Sequence, residues 1–346
     1  MGGETSGFVE AEILNPADLD DAAWRAWHDV RVLCDEEKLA EGSAVSERSH
    51  RLSVLHPGAD VAVTHWGVWD DTRTRLVAVA DLVVPDRPDN RHMAQGSIWV
   101  RPDARRQGLG RALLRLLAEG SRDAGRSVLH GYGVQGEVGL PFVEAYGGKD
   151  VYLARRSRWL PAETPVGLLE GWVEQAPERA QGYRIVGWDA PTPAEHLEGY
   201  AHVLHAMNTA PMQDMDWEPE VFTPELISTW EEAGAKQESG KWVMVAEHVA
   251  TGEYAGLTEI YFEDDRPQIA FQGNTGVDPA HRDKGLGRWL KGAMGLRLRQ
   301  ERREVEAVYT FNNDSNLPML SINTEMGFAP HRRFSNYEVQ VTSVLD

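Results

Sequence analysis

Residues 100–111 read VRPDARRQGLGR, and residues 277–288 read VDPAHRDKGLGR. Val100, Pro102, Arg105, Gly108, Leu109, Gly110 and Arg111 return 177 positions later as Val277, Pro279, Arg282, Gly285, Leu286, Gly287 and Arg288. Each copy sets R-x-x-G-x-G between the end of an apolar strand and a helix-period segment. Glycine permits a tight turn there. The amides at a helix start, at the positive end of its dipole, suit phosphate oxygens. Arg105, Arg106 and Arg111, or Arg282, Lys284 and Arg288, add cationic donors, and Gln107 and Asp283 lie within the two loops. A dinucleotide fingerprint would need a third glycine where Leu113 and Leu290 stand, and a nucleotide-triphosphate loop would need Gly-Lys-Ser/Thr. Both are excluded.

Proton transfer needs a titratable group near such a loop. Asp81 in VAVADLVV and Glu259 in AGLTEIYF are carboxylates within apolar strands. Apolar neighbours raise a carboxyl pKa and suit it to accept a proton. The competing reading is a side chain facing solvent or paired with an arginine. Met207–Glu220 (MNTAPMQDMDWEPE) is acidic and carries Trp217. It suits a cationic or aromatic ligand, or serves as a surface loop before a helix capped at Thr223-Pro224-Glu225. His202 and His205 lie three apart without a further ligand motif, so a structural role is expected and no metal. The single cysteine, Cys34, follows Trp24, Trp27 and Val30 and reads as a core residue. It forms no intrachain disulfide, which fits a reducing compartment.

The elements that must hold these groups also come twice. Strand pairs are expected at Val61–Val68 with Leu76–Val84, and at Trp242–Val249 with Tyr254–Phe262. Third strands follow at Gln95–Val100 and Gln268–Val277, then amphipathic helices carrying Leu113, Leu114, Leu116 and Leu117, or Trp289, Leu290, Met294, Leu296 and Leu298. Ser127–Tyr132 and Val305–Phe311 read as further strands, each before a short helix ending near glycine. Phe8–Leu14 and Tyr183–Trp188 read as opening strands, with helices starting at Asn15-Pro16 and Thr192-Pro193. The expected class is α/β: two tandem domains, 1–175 and 182–346, each a mostly antiparallel mixed sheet flanked by helices. The linker falls near Pro161–Gln181.

On Arg105-x-x-Gly108-x-Gly110 and Arg282-x-x-Gly285-x-Gly287 the chain resembles the GNAT superfamily of acetyl-CoA-dependent N-acyltransferases, in the two-domain actinobacterial layout. Asn312-Asn313-Asp314-Ser315-Asn316-Leu317-Pro318-Met319 and Met326-Gly327-Phe328 resemble the family's next motif and its closing turn. The resemblance implies coenzyme A on Val277–Arg288, with Asn312 and Asn316 for the pantetheine arm, and a second coenzyme A loop on Val100–Arg111. At the 177 offset Asn312 and Asn316 become Gln135 and Gly139, so the first half reads as degenerate and the second as catalytic. The family's usual general-acid tyrosine falls at Asn323, which has no titratable proton. In the first half the same spacing gives Tyr146, or Val143 if a deletion is allowed. The catalytic candidates are therefore Glu259, Tyr146 and Asp81.

The sequence counts 54 acidic and 35 basic residues, a net charge of −19. A duplex nucleic-acid binder needs a basic surface, so no nucleic-acid partner is expected. No apolar run approaches the roughly 18 residues of a membrane span, and MGGETSG lacks the start of a signal peptide. The expectation is a cytoplasmic acetyltransferase, monomer or homodimer, acting on a small-molecule amine for which a cationic character would suit. The rival is a non-catalytic acyl-CoA-binding or sensing protein.

Overall fold

The computed structural model describes residues 10–38, 45–134 and 138–346. Gln135 and the beginning of the Phe8–Leu14 strand lie outside them. The chain divides into two compact units, Met1–Val151 with Asn336–Asp346, and Tyr152–Ser335.

In the first unit, β1 (Glu12–Ile13), β2 (Val61–Trp69), β3 (Leu76–Pro85), β4 (Met93–Val100) and β5 (Val128–Val134) lie in that order. One face packs on α3 (Leu109–Asp123), where Leu113, Leu117 and Ala118 meet Ala78, Ala80 and Leu82. The other face receives α1 (Asp21–Lys38), whose Trp27, Val30 and Cys34 meet Leu76 and Val79. Also here are α2 (Glu47–Leu55), α4 (Gly139–Glu144) and α10 (Val341–Leu345). The expected helix start at Asn15-Pro16 is instead an isolated 3-10 turn, Pro16–Asp18. The α-helix begins afterwards, because the Asp20 carboxylate accepts from the amides of Ala22 and Ala23 and caps a new first turn.

The second unit is built from β6 (Lys149–Trp159), α5 (Leu168–Arg179), β7 (Tyr183–Asp189), α6 (Ala194–Leu204), α7 (Pro224–Lys236), β8 (Ser239–His248), β9 (Tyr254–Glu263), β10 (Ile269–Val277), α8 (Leu286–Glu301), β11 (Ala307–Asn313), α9 (Leu317–Met326) and most of β12 (Ala329–Gln340). Its sheet order is β6-β11-β10-β9-β8-β7. Strand alternation sorts side chains between two helical layers. Trp242, Met244 and Ala246 pack with α5 and α8, while Val243 and Val245 pack with α6 and α7. Because both faces are covered, the strands read as nearly continuous apolar runs.

The segment expected as a linker is folded into this second unit. Leu169 and Ala180, on and just after α5, join Trp159, Leu290 and Met294 in one core. The end of the chain goes the other way: Val339 and Val341 complete the core around α3. Compact units therefore part at 152 and 335, and the change of partners follows from where these apolar side chains find cover.

Two backbone features bear on the glycine loops and the carboxylates. In each unit the parallel strand pair before the loop is short. Met93–Gln95 pairs with Val128–His130, and Ile269–Phe271 pairs with Ala307–Tyr309, although all four strands continue. Beyond those residues the strands part. Second, β10 carries a bulge. Gln272 pairs with Ile260 and Thr275 with Thr258, so Gly273 and Asn274 together face Glu259. In the first unit β3 and β4 keep an unbroken register.

Lys291 on α8 is fully buried, with its ammonium 5.1 Å from the centre of the Phe328 ring. Burial lowers its pKa to about 7. Between about pH 7 and 10.5 the unfolded chain holds a proton that the folded chain does not, so stability should rise with pH across that window. Lys291→Met keeps the stem and removes the charge. It should raise stability by on the order of 3–5 kcal/mol at pH 7 and below. The difference from wild type should shrink toward pH 10, as read by urea denaturation at fixed ionic strength.

Candidate functional site

Both glycine loops share one backbone path. Arg106 and Gly108, and likewise Asp283 and Gly285, adopt positive φ, at 63° and 85°, and at 65° and 77°. Each glycine starts a helix that no side chain caps. The first amides of α3 and α8 thus face outward without a side-chain acceptor. The arginine before each loop braces it: Nε of Arg105 donates to the Val100 carbonyl, and Nε of Arg282 to that of Val277, both at 3.2 Å. Arg282 also reaches Thr209 Oγ1, and Arg179 of α5 donates to the Asp283 carbonyl at 3.4 Å. Arg288 is tied to Glu325 at 2.7 Å. A Cβ at Gly287 would stand 3.3 Å from Ile322, and one at Gly110 would stand 3.3 Å from Phe142. Both second glycines therefore sit against the short helix that comes next but one in the chain, α9 or α4.

Beside the parted strands of the second unit lies Glu259, 1 % exposed. Its surroundings are polar rather than the apolar pocket expected from sequence. Tyr200 of α6 donates to Oε1, and Tyr261 donates to Oε2 at 3.2 Å. The bulge amide of Asn274 donates to Oε2 at 3.1 Å. Burial first, then the charge of Glu259, holds both phenols well above the usual tyrosine range, so they stay protonated donors. Gly273 is required here, since a Cβ would fall 2.4 Å from the Tyr261 ring. The network continues inward. Lys241 donates to the Tyr200 hydroxyl at 3.2 Å and pairs with Glu231 at 2.5 Å. Glu231 in turn accepts from the amide and hydroxyl of Thr192. Thr192, expected as a helix cap, is occupied by this contact.

Asn312 and Asn316 have local partners as well. Asn323 Nδ2 donates to Asn312 Oδ1 at 2.7 Å, and Asn316 Oδ1 caps α9 through the Met319 amide. The residue in the usual tyrosine place thus orients an asparagine of the motif. The acidic Met207–Glu220 segment also belongs to this region. Its Gln213 accepts from the Leu153 amide and donates to Asn313 at the end of β11. His205 bonds the Ala201 carbonyl and the Phe222 amide, a structural role.

In the first unit, Asp81 occupies the place that corresponds to Glu259. Ala78 pairs with Val100 and Gly256 with Val277, and each carboxylate stands three residues further along its strand. Its neighbours differ. Asp81 binds His65 Nδ1 at 2.7 Å, its partner across β2, and Arg31 at 3.7 Å. Tyr146 packs on Phe142, with ring centres 5.5 Å apart, against the α3 core. Sequence reasoning did not single out Tyr200, Tyr261, Lys241, Glu231 or the bulge. Two signals were available: a glycine and asparagine inside a strand, and a lysine opening an apolar one.

The model of the acetyltransferase (GNAT) family matches residues 21–130 and 206–328. Mycothiol acetyltransferases of Catenulispora acidiphila and Nocardia farcinica are 26 % and 27 % identical, covering 86 % and 87 % of this chain and 90 % of each relative. Among solved structures, a tandem GNAT protein from the clavulanic acid biosynthesis pathway has a TM-score of 0.76 at 24 % identity, covering 96 % of this chain and 98 % of that one. A GCN5-related N-acetyltransferase from Sphaerobacter thermophilus has a TM-score of 0.67 at 16 % identity, covering 96 % and 95 %. These likenesses bear out the expected fold class of two tandem mixed α/β domains.

The ion pair of Lys241 and Glu231 makes a test of the inner network. Lys241→Met leaves a buried carboxylate without its cation and should cost about 3–5 kcal/mol in urea unfolding. Adding Glu231→Gln removes the lone charge and keeps an acceptor for Thr192. The double variant should recover most of that loss; equal stability of wild type and single variant would show that the pair contributes nothing.

Proposed function

The chain belongs to the GNAT acetyltransferase family, and on that premise we propose that it transfers an acetyl group from acetyl-CoA to a primary amine of a small molecule by direct attack. The observation that carries this reading is a convergence in the second unit. An uncapped helix start, a pair of parted strands and a bulge beside a buried carboxylate lie on neighbouring elements.

The residues present fit such a co-substrate. Asp283 and Gly285 take positive φ, and among the described residues no side chain caps the start of α8. Val277, Arg282, Asp283, Lys284, Gly285, Leu286, Gly287 and Arg288 would hold the pyrophosphate. Asn312 and Asn316 would meet the pantetheine arm through the Nδ2 groups that their own contacts leave over. Acetyl-CoA supplies an acetyl group activated as a thioester. As the C–N bond forms and the C–S bond breaks, the amine loses a proton and the leaving thiolate takes one up. Glu259 accepts the amine's proton, directly or through one water, while Tyr200 and Tyr261 hold the carboxylate in place.

The first unit is proposed as a coenzyme A-binding but degenerate copy, with Val100, Arg105, Arg106, Gln107, Gly108, Leu109, Gly110 and Arg111 as its loop. Two differences support this. Asp81 is engaged by His65 and Arg31, and β4 keeps its register with β3 where β10 is bulged. Tyr146 packs against the core.

Gly285→Glu with Gly287→Glu should abolish coenzyme A binding to the second unit and turnover with it. The same pair of changes at Gly108 and Gly110 should remove one binding event and leave most turnover. Calorimetry and steady-state rates on folded variants decide. Loss of turnover in the Gly108, Gly110 variant would move catalysis to the first unit or to both.

Glu259→Gln retains shape and hydrogen bonding but takes no proton. It should lower kcat by about 10²–10⁴-fold and leave coenzyme A affinity nearly unchanged. Alkylamines are mostly protonated at neutral pH, so the penalty should shrink as pH rises from 6 to 9. Near-normal rates throughout that range, in the Gly108, Gly110 background, would remove Glu259 from the mechanism.

A further inference from the structure

The sheet face that carries Glu259 and Tyr261 continues as a row of aromatic rings. Strand register sets Tyr261 beside Phe271, Phe271 beside Tyr309, and Tyr309 beside Arg158. In the neighbouring row, Arg156 pairs with Phe311, a ring that is half exposed. Directly paired residues share a face, so the arginines lie on the same side as Glu259.

Arg156 is the anomaly in this row. It is 4 % exposed, its guanidinium stands 4.0 Å over the Tyr309 ring, and its buried Nε has no acceptor. Among the described residues Arg156 has neither a hydrogen-bond acceptor nor a carboxylate. Glu263 pairs with Arg266, and Asp314 with Arg155 and Arg333. Arg158 and Arg332 form no ion pair among the described residues, and His331 stands edge-on to Tyr309 at 5.5 Å. Burial first, then repulsion from Arg266 and Arg332, holds Arg156 below the usual arginine range. The same field, from Arg156, Arg158 and Arg332, adds to burial in lowering His331. A cation over one ring recovers only part of what burial takes from a guanidinium. In a chain with 54 acidic residues, an acid partner could have been supplied at this position.

We propose that Arg156, with Arg158 and Arg332, receives an anionic group, a carboxylate or a phosphate, at the far end of the acceptor amine, whose body lies along Phe271 and the half-exposed Phe311. This rests on the acyl-transfer reading of Glu259. Arginine forks match both oxyanions. Arg156 is on β6, three strands from Glu259 on β9, which is about 14 Å or more at roughly 4.8 Å per strand, since β10 and β11 part at this level. An acceptor of that reach, amine at one end and oxyanion at the other, spans the row.

The test compares 8-aminooctanoate, 8-aminooctyl phosphate and 8-aminooctanamide as acceptors for the full chain with acetyl-CoA. The anionic compounds should exceed the amide in kcat/KM by about 10–100-fold. The better of the two identifies the oxyanion. Arg156→Met should abolish the preference, and Arg156→Lys, which keeps charge without the fork, should retain part of it. Should Arg156→Met not fold, Arg158→Met takes its place. Equal kcat/KM in wild type, or a preference that survives in Arg156→Met, overturns the proposal. Calorimetry of the same compounds without acetyl-CoA separates it from the acyl-transfer reading. Tighter binding of the anions to wild type but not to Arg156→Met, with no acetylation, would sink the transfer reading and support the anion site. No difference in binding and none in turnover would sink the anion site.

Discussion

Backbone amides and carbonyls within a protein need partners, and a sheet ordinarily supplies them through its ladder. In the second unit the ladder between β10 and β11 ends after Phe271 and Tyr309, while β10 runs on to Val277 and β11 to Asn313. Strand edges there face one another without pairing. The rest of the candidate site is arranged around that opening. The glycine loop follows directly from the end of β10, so the uncapped start of α8 stands at its mouth. The bulge on the other edge of β10 turns an amide toward Glu259. Gln213 reaches the last residue of β11, and Arg282 reaches Thr209. A site whose walls are strand edges can take a ligand by continuing backbone hydrogen bonding, while the helix start takes its charged end.

The two units show how little must change for one copy to differ from the other. Their glycine loops keep matching φ values, and their carboxylates hold the same place relative to the strand end. What differs is what stands opposite. Across from Glu259 on β8 is Val243, which leaves the carboxylate to the hydroxyls of Tyr200 and Tyr261. Across from Asp81 on β2 is His65, which takes one carboxylate oxygen, while Arg31 approaches the other. The Glu259 carboxylate is held by hydroxyls, whereas that of Asp81 lies between a histidine and an arginine. The missing bulge in β4 removes the amide as well.

Much of this architecture was legible from sequence because it rests on short-range rules. Hairpins, amphipathic helices and the two glycine loops each depend on residues within a dozen positions, and the 177-residue repeat doubled the signal at each. That Thr223 caps α7 was readable for the same reason. Tertiary structure decided what depended on distant partners. Whether Asp81 is poised or compensated depended on Arg31, 50 residues earlier. Glu259 is held by a tyrosine 59 residues away, and Lys241 meets Glu231 across the α7–β8 connection. The apolar face of α5 could have covered either unit, and only packing against α8 assigned it to the second. Composition counted the arginines, but strand register placed Arg156 and Arg158 beside aromatic rings. Periodicity tells which face a side chain takes; what it meets on that face is fixed only when the strands and helices are brought together.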